Sequence, residues 1–503
     1  MASVFLGDLN DFIQPSQACV NPLFLAGKQA EESKATVSLD SDIYSGIHQV
    51  AIEPDLIKSS AADTAMVSLN DCLACSGCVT SAETILISQQ SAQEFRAALA
   101  ARAHDKFVVT ISPQARASIA VRFNLTAHAA HLKLVSFFRS LGVHVVLDTT
   151  GSADIALLEA RTEFVTRLRN QTLVPWKRPP SSRAVSSTET EYLEAGAEPP
   201  AHVALPMLTS ACPGWVCYAE KSNANALPYI STTKSPQQIT GTLVKRLFSQ
   251  PTDRVYHATV MPCYDKKLEA SRNDFLDAAT ETRDVDCVLA ASEVLDMLVE
   301  ANVDLAALPD AVLTPDERLW SGVADTHLVG ATEGEIGAGG YLEHIFRFAA
   351  KELYNVDVEG PLPYVQGRNA DFREVSLVVD GKEVLKFALA YGFRNIQTVL
   401  MKIKRNKCPY QFVEIMACPG GCLNGGGQVK PESAEANKAL VEKVYATFRD
   451  RTLRAPSANP ACAQLYATYL DDTPFGQKAR SVFHTRYHAV PKLELANPFG
   501  IKW

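Results

Sequence analysis

The sequence predicts an α/β protein made of two lobes with parallel sheets flanked by helices, preceded by a small cysteine-bearing module. Three observations carry this. Short β-rich apolar runs recur between residues 105 and 430, each closed by a turn and followed by a helical pattern. No heptad or short fixed repeat is sustained, and no eighteen-residue apolar stretch interrupts the pattern. Residues 1–103, by contrast, are poor in periodic elements and hold four of the twelve cysteines.

That first segment, 1–103, reads as loop around a compact site, with an acidic, small-residue stretch from Glu31 to Ser45. Within Asp71-Cys-Leu-Ala-Cys-Ser-Gly-Cys-Val-Thr-Ser-Ala-Glu83, Cys72, Cys75 and Cys78 form Cys-x-x-Cys-x-x-Cys. Two-residue spacers let the chain wrap one metal centre while backbone N–H groups point back at the sulfurs. A bacterial ferredoxin run would add three residues and then Cys-Pro, but Ala82 and Glu83 stand there. Cys19 is the only other cysteine ahead of the lobes and becomes the candidate fourth ligand. Thiolates suit an iron-sulfur cluster or zinc, and the lack of a second paired Cys or His motif nearby favours the cluster over a zinc knuckle or free thiols.

The first lobe, 104–250, is built on Phe107–Ile111, Val143–Leu147 and Ala204–Thr209, with a helical pattern from Asp154. Its 176–201 stretch carries Pro-Pro, Ser-Ser and Glu-Pro-Pro clusters and few large apolar residues, the composition of a disordered surface insertion. The second lobe, 251–440, takes Val255–Val260, Cys287–Ala290 and Leu385–Ala390 as strands. Residues 441–503 complete the chain as a helical segment and a tail.

Four more cysteines follow strands. Cys212 lies in Leu208-Thr-Ser-Ala-Cys-Pro-Gly-Trp215 and Cys263 in Met261-Pro-Cys-Tyr-Asp-Lys-Lys-Leu-Glu269. Cys418 and Cys422 lie in Glu414-Ile-Met-Ala-Cys-Pro-Gly-Gly-Cys-Leu-Asn-Gly-Gly-Gly-Gln428, whose glycines permit close backbone approach to a bulky inorganic core. Strand-end loops form the crevice of an open α/β sheet, so three such loops offer four thiolates to one place. A single buried cysteine is ordinarily a small hydrophobe, and Cys217, Cys287, Cys408 and Cys462 are read that way, as core or surface thiols. Lys266 and Glu269 either line the same crevice or form a surface ion pair. Gly425–Gly427 is followed by no Lys-Ser/Thr, so it is no phosphate loop, and Lys402–Lys407 reads as a helix end.

Composition bounds the partners. With 503 residues, 47% apolar and 21% charged, the chain can bury a core without disulfide staples, and twelve cysteines are too sparse for a disulfide scaffold. Their tight clustering points to metal binding in a reducing compartment. A net charge of −8 gives no basic footprint, which argues against nucleic acid or an anionic membrane as partner. The N-terminus carries acid where a signal peptide carries base, so the expected location is the cytosol.

The segments around Cys212, Cys263 and Cys418–Gln428 resemble the three signature segments of iron-only hydrogenases, as do Lys234-Ser-Pro-Gln-Gln238, Gly339-Gly-Tyr-Leu-Glu343 and Asp154 with Glu159 and Glu163. The resemblance implies a hydrogenase-like pair of lobes with a 4Fe-4S cubane held by Cys212, Cys263, Cys418 and Cys422. Two departures stand out: hydrogenases carry a proton-relay cysteine just before the first ligand, where this chain has Ala211, and one carboxylate of their proton path is replaced here by Ala160 while Glu163 remains. A methyl group carries no proton, so the resemblance implies a protein that is not a hydrogenase enzyme.

Asp8-Leu-Asn-Asp-Phe-Ile13, Gln17-Ala-Cys-Val20, the cysteine triad and the terminal tryptophan are similar to the hydrogenase-like Nar1 family of cytosolic iron-sulfur assembly factors. This resemblance implies two 4Fe-4S clusters, the first held by Cys19, Cys72, Cys75 and Cys78 in a ferredoxin-like module. It implies a role linking the cytosolic Fe-S scaffold complex to the targeting complex that delivers clusters to apo Fe-S proteins in cytosol and nucleus. Gly500-Ile-Lys-Trp503 is then a docking element for the targeting complex, an aromatic with a free carboxylate, with Lys502 departing from the usual acidic or small polar residue. The enzymatic alternative is an iron-only hydrogenase or related redox enzyme; a zinc-bound adaptor is a third reading.

Overall fold

A computed structural model describes residues 87, 89–173, 205–250, 252–277, 280–330, 337–367, 369–429 and 434–490. Cys19, Cys72, Cys75, Cys78, the 176–201 insertion and Trp503 lie outside the described residues. The strands used below are β1 (Lys106–Ile111), β2 (Val145–Asp148), β3 (Met207–Thr209), β4 (Val255–Met261), β5 (Cys287–Ala290), β6 (Val365–Gln366), β7 (Phe372–Val379), β8 (Lys382–Tyr391) and β9 (Phe412–Met416). The helices are α1 (Pro113–Arg122), α2 (Ala127–Ser140), α3 (Thr150–Leu173), α4 (Pro213–Ser222), α5 (Pro236–Thr242), α6 (Asp265–Ala270), α7 (Ala291–Glu300), α8 (Tyr341–Tyr354), α9 (Phe393–Lys404) and α10 (Ala434–Arg449).

One sheet runs β2-β1-β4-β5 and is parallel throughout, with Val109 opposite Val146 on one side and Ala258 on the other. Its strands are buried on both faces, which is why they read as unbroken apolar runs rather than as alternation. The second sheet runs β3-β9-β8-β7-β6. Here β3, β9 and β8 are parallel, and β7 and β6 extend the edge antiparallel. Solvent reaches one face of β7, whose burial alternates, and a tight turn at Asp380–Gly381, both with positive φ, joins it to β8. The sheets draw strands from both sides of residue 250: β3 sits with β9, whereas β4 and β5 sit with β1.

Two helix starts share one device. Ser112 caps α1 by accepting the Ala115 N–H at 3.2 Å, with Pro113 in the first turn, and Ser235 and Pro236 do the same for α5. Helix α3 leaves the first sheet after β2 yet packs on the second, where Phe164 meets Phe387 and Phe412 edge-on at 5.0 and 5.7 Å between centroids. It thereby belongs to the core of both lobes. The C-terminal segment straps this helix: Asn459 donates to Asp154 at 2.7 Å, and Glu159 accepts from the Phe475 N–H at 2.7 Å and pairs with His484 Nε2 at 2.9 Å. No helix among the described residues is long and apolar enough to cross a membrane.

Candidate metal centre

Three loops leave the carboxyl ends of β3, β4 and β9 and meet between the sheets. Ser210 fastens the first to the third. Its hydroxyl donates to the Ile415 carbonyl at 2.5 Å and accepts the Cys212 N–H at 3.0 Å, so the residue after β3 is tied to the strand that leads to Cys418. Cys212 then caps α4, with Pro213 at its first position. Backbone N–H groups of Ala417 and Trp215 are directed at its sulfur.

The glycines of 420–427 make the convergence possible. Gly420 and Gly421 hold φ of +72° and +79°, left-handed values that a side chain disfavours. A Cβ on Gly425 would lie 2.3 Å from the Pro262 carbonyl oxygen, and one on Gly427 would lie 3.2 Å from Cys263 Cα. The Gly427 N–H donates to that same Pro262 carbonyl at 3.0 Å. The second and third loops are therefore in backbone contact, with no room for side chains between them.

Cys212, Cys263, Cys418 and Cys422 are all free thiols, Cys212 buried and the other three half-buried. Burial pushes every one of these thiols up, Cys422 to about 12, and Cys212 adds its own repulsion to each of the other three. Cys418 feels all three partners. Four thiolates crowded in this way need positive charge between them. Among the described residues no three His, Cys, Asp or Glu side chains converge as they would around a single ion. In a zinc site every sulfur lies about 2.3 Å from one ion, whereas a cubane gives each thiolate its own iron and spreads the sulfurs apart. Four thiols on three loops are a donor set that fits an iron-sulfur cluster.

Two cavities flank the loop of Cys212, and Ala211 lines both. The larger, of about 80 Å³, is also walled by Cys422 and Lys266; the smaller, of about 30 Å³, is walled by Cys212, Cys217 and Thr233. Lys266 does both things considered from the sequence, since it lines the cavity and pairs with Glu269 at 2.8 Å, with both side chains nearly buried. Cys287 and Cys462 are buried in the core and Cys217 and Cys408 half-buried. Glu163 is buried too, bonded to Arg167 and Ser231 at 2.6 Å each. Sequence reasoning missed Arg451, Asn459, Tyr466 and His484, which the C-terminal segment brings to this region; isolated residues in a helical stretch carry no spacing signal.

The comparisons with known proteins agree with this geometry. Residues 105–177 and 181–426 match the family described as iron only hydrogenase large subunit, C-terminal domain, and 435–490 match iron hydrogenase small subunit. Among solved structures, a single-residue variant of FeFe-hydrogenase HydA1 from Chlamydomonas reinhardtii superposes with a TM-score of 0.62 at 28% identity, over 79% of this chain and 99% of that one. Cytosolic iron-sulfur assembly component 3 of Rattus norvegicus is 45% identical over the whole of both chains. Protein NAR1 of Arabidopsis thaliana is 43% identical over 97% of this chain and 96% of its own. The chain thus belongs to the Nar1 family of cytosolic iron-sulfur assembly components, which is built on the iron-only hydrogenase fold.

Proposed function

We propose that this chain serves cytosolic iron-sulfur protein assembly as a carrier of two 4Fe-4S clusters, and that it is not a hydrogen-producing enzyme. The observation that carries this reading is the convergence of Cys212, Cys263, Cys418 and Cys422 on one site whose neighbouring wall residue, Ala211, is inert. When bound, a 4Fe-4S cluster there supplies one-electron redox chemistry and the positive charge that four thiolates require. The residues of the chain position it: Ser210 fixes two of the loops, glycines admit the third, and Ala417 and Trp215 direct N–H groups at Cys212. The second cluster is assigned to Cys19, Cys72, Cys75 and Cys78. Cys19 precedes Cys72 by 53 residues in a stretch of low sequence periodicity, so that cluster is the more labile of the two.

The assignment places the protein in the cytosol, with a nuclear pool following its clients, between the scaffold complex that builds clusters and the targeting complex that delivers them. Trp503 supplies the contact with the latter, and apo Fe-S proteins are reached indirectly. Hydrogenase activity is the second reading, favoured by the cavity that persists beside Cys422. Anaerobically purified protein tests both together. The assembly reading predicts brown protein with iron and acid-labile sulfide, binding of the targeting complex that is lost on deleting Trp503, and no hydrogen from reduced viologen. Robust hydrogen output from the unmodified protein would overturn it.

A further inference from the structure

Helix α9 and the turn after it form a face of one charge. Residues 393–410 hold five cations, Arg394, Lys402, Lys404, Arg405 and Lys407, and no carboxylate, in a chain whose net charge is −8. Lys402 is turned back onto its own lobe, where its Nζ donates to the Tyr410 hydroxyl at 2.9 Å. The other four are exposed. Arg394, Arg405 and Lys407 have no side-chain hydrogen bond or ion pair among the described residues. Phe393, Ile396, Val399 and Ile403 bury the inner face of the helix, which leaves Arg394, Thr398, Met401 and Arg405 as one outward stripe at three- to four-residue spacing. Met401, 50% exposed, stands in the middle of it. Like charges this close repel one another until an anion answers them, and a methionine among cations is an adaptable apolar anchor with a polar rim.

The same end of the lobe receives the 176–201 insertion. The chain leaving it enters β3, whose Met207 N–H donates to the Gln411 carbonyl at 2.9 Å, and Gln411 lies four residues past Lys407. Strand β3 is three residues long and lies at the edge of its sheet beside β9. Residues 184–201 carry Glu189, Glu191, Glu194 and Glu198 with no lysine or arginine, and Tyr192 and Leu193 stand among these carboxylates. Glu198 is nine residues from Met207, a reach of about 30 Å for extended chain, whereas the stripe from Arg394 to Arg405 is only about 16 Å long. A free acidic partner must compete with a segment tethered at an effective concentration on the order of millimolar. A second copy of the chain does not answer this face with its own across a two-fold axis, because cation would meet cation.

We propose that the acidic segment 189–198 of the insertion docks on the exposed stripe of α9 in its own chain, its carboxylates answering Arg394, Arg405 and Lys407 and its Tyr192 and Leu193 covering Met401. The docked segment holds the amino end of β3, the edge strand that leads to Cys212, against the turn before β9. Neither the bound cluster nor Trp503 takes part, so the proposal stands or falls apart from the assembly role.

A water-soluble carbodiimide, which joins an amine to a carboxylate only where the two touch, tests it on the cluster-loaded full chain in an equal mixture of isotopically light and heavy protein. Peptide mass spectrometry should find Lys404 or Lys407 joined to a glutamate of segment 189–198 within single chains, and far less of this product at about 1 M salt, where screening acts over about 3 Å. A glutamate-specific protease reads the same contact without cross-linking. Arg394→Gln/Arg405→Gln should speed cleavage after Glu191 and Glu194 by about threefold or more, the effect of losing two exposed ion pairs. Circular dichroism checks that the double variant is folded, and Arg405→Gln alone replaces it if it is not. Absence of cross-links from the segment to α9, or cross-links that join only light chains to heavy ones, overturn the proposal. Cleavage at the wild-type rate in the folded variant overturns it equally.

Discussion

Glu414 in β9 accepts the backbone N–H of Leu342 at 2.7 Å, so a buried carboxyl joins the strand leading to Cys418 with the first turn of α8. Tyr391 donates to its other oxygen at 2.7 Å. One residue thus couples the cluster loop to the helix that opens the neighbouring cavity.

That carboxyl predicts a pH dependence. Burial, helped by Glu343, pushes Glu414 up from 4.5 to about 7. The folded chain therefore holds a proton that the unfolded chain has released across this window. The stabilisation is fully present below about 4.5 and is lost as pH rises through about 7. Denaturant unfolding should show Glu414→Gln with a flatter stability profile than wild type between these pH values, and higher relative stability at the alkaline end. Parallel profiles would show that the carboxyl is ionised throughout.

His257 predicts the opposite slope. Its Nδ1 faces the Asp284 carbonyl at 3.0 Å and so donates, leaving Nε2 to accept from Thr110 at 2.8 Å. Burial lowers this imidazole from 6.5 to about 4. As pH falls from 6.5 towards 4 the unfolded chain takes up a proton that the folded one refuses, and stability falls. The thermal midpoint of His257→Gln should drop less steeply over that range than that of wild type.

Gly425→Ala should be among the most disruptive single methyl additions. The new Cβ would fall 2.3 Å from the Pro262 carbonyl, a backbone atom with no freedom to rotate away. A cost of about 3 kcal/mol or more follows, together with loss of iron, because two of the ligand loops must separate. Gly330→Ala meets the Arg451 side chain at 3.2 Å and Thr150 Cγ2 at an ordinary 3.8 Å, with no backbone atom in the way, and should cost far less. Chemical denaturation of the pair measures the difference.

Ala211→Cys should not confer hydrogen evolution. Ala211 lies on the walls of both cavities, so the new thiol is accommodated at their boundary, but a thiol alone brings neither a second metal centre nor a complete proton path. Gas chromatography over reduced viologen reads the outcome directly, and hydrogen output from this variant would restore the enzymatic reading.

Much of the fold was legible because parallel strands buried on both faces leave short apolar runs, as at Lys106–Ile111 and Cys287–Ala290. Strand β9, Phe412–Met416, is marked less by its own apolar run, which Glu414 interrupts, than by the cysteine loop that follows it; that carboxyl is there for a tertiary reason, to accept the Leu342 N–H. The β7–β6 edge was missed. Its alternation marks a half-exposed antiparallel pair inside a sequence otherwise patterned for parallel strands. The four lobe cysteines were found because each follows a strand and keeps company with Pro or Gly. Arg451, Asn459 and His484 were invisible, since only folding brings the C-terminal segment against α3.

The central claim is that two clusters sit on separate ligand sets, and paramagnetic resonance with iron and sulfide analysis of anaerobic Cys19→Ala and Cys418→Ala tests it most directly. The account predicts that each variant loses one signal and roughly half of the iron, four atoms per cubane. Loss of Cys19 should spare the cluster between the sheets. Abolition of both signals by Cys19→Ala, or full iron retention in Cys418→Ala, would contradict it.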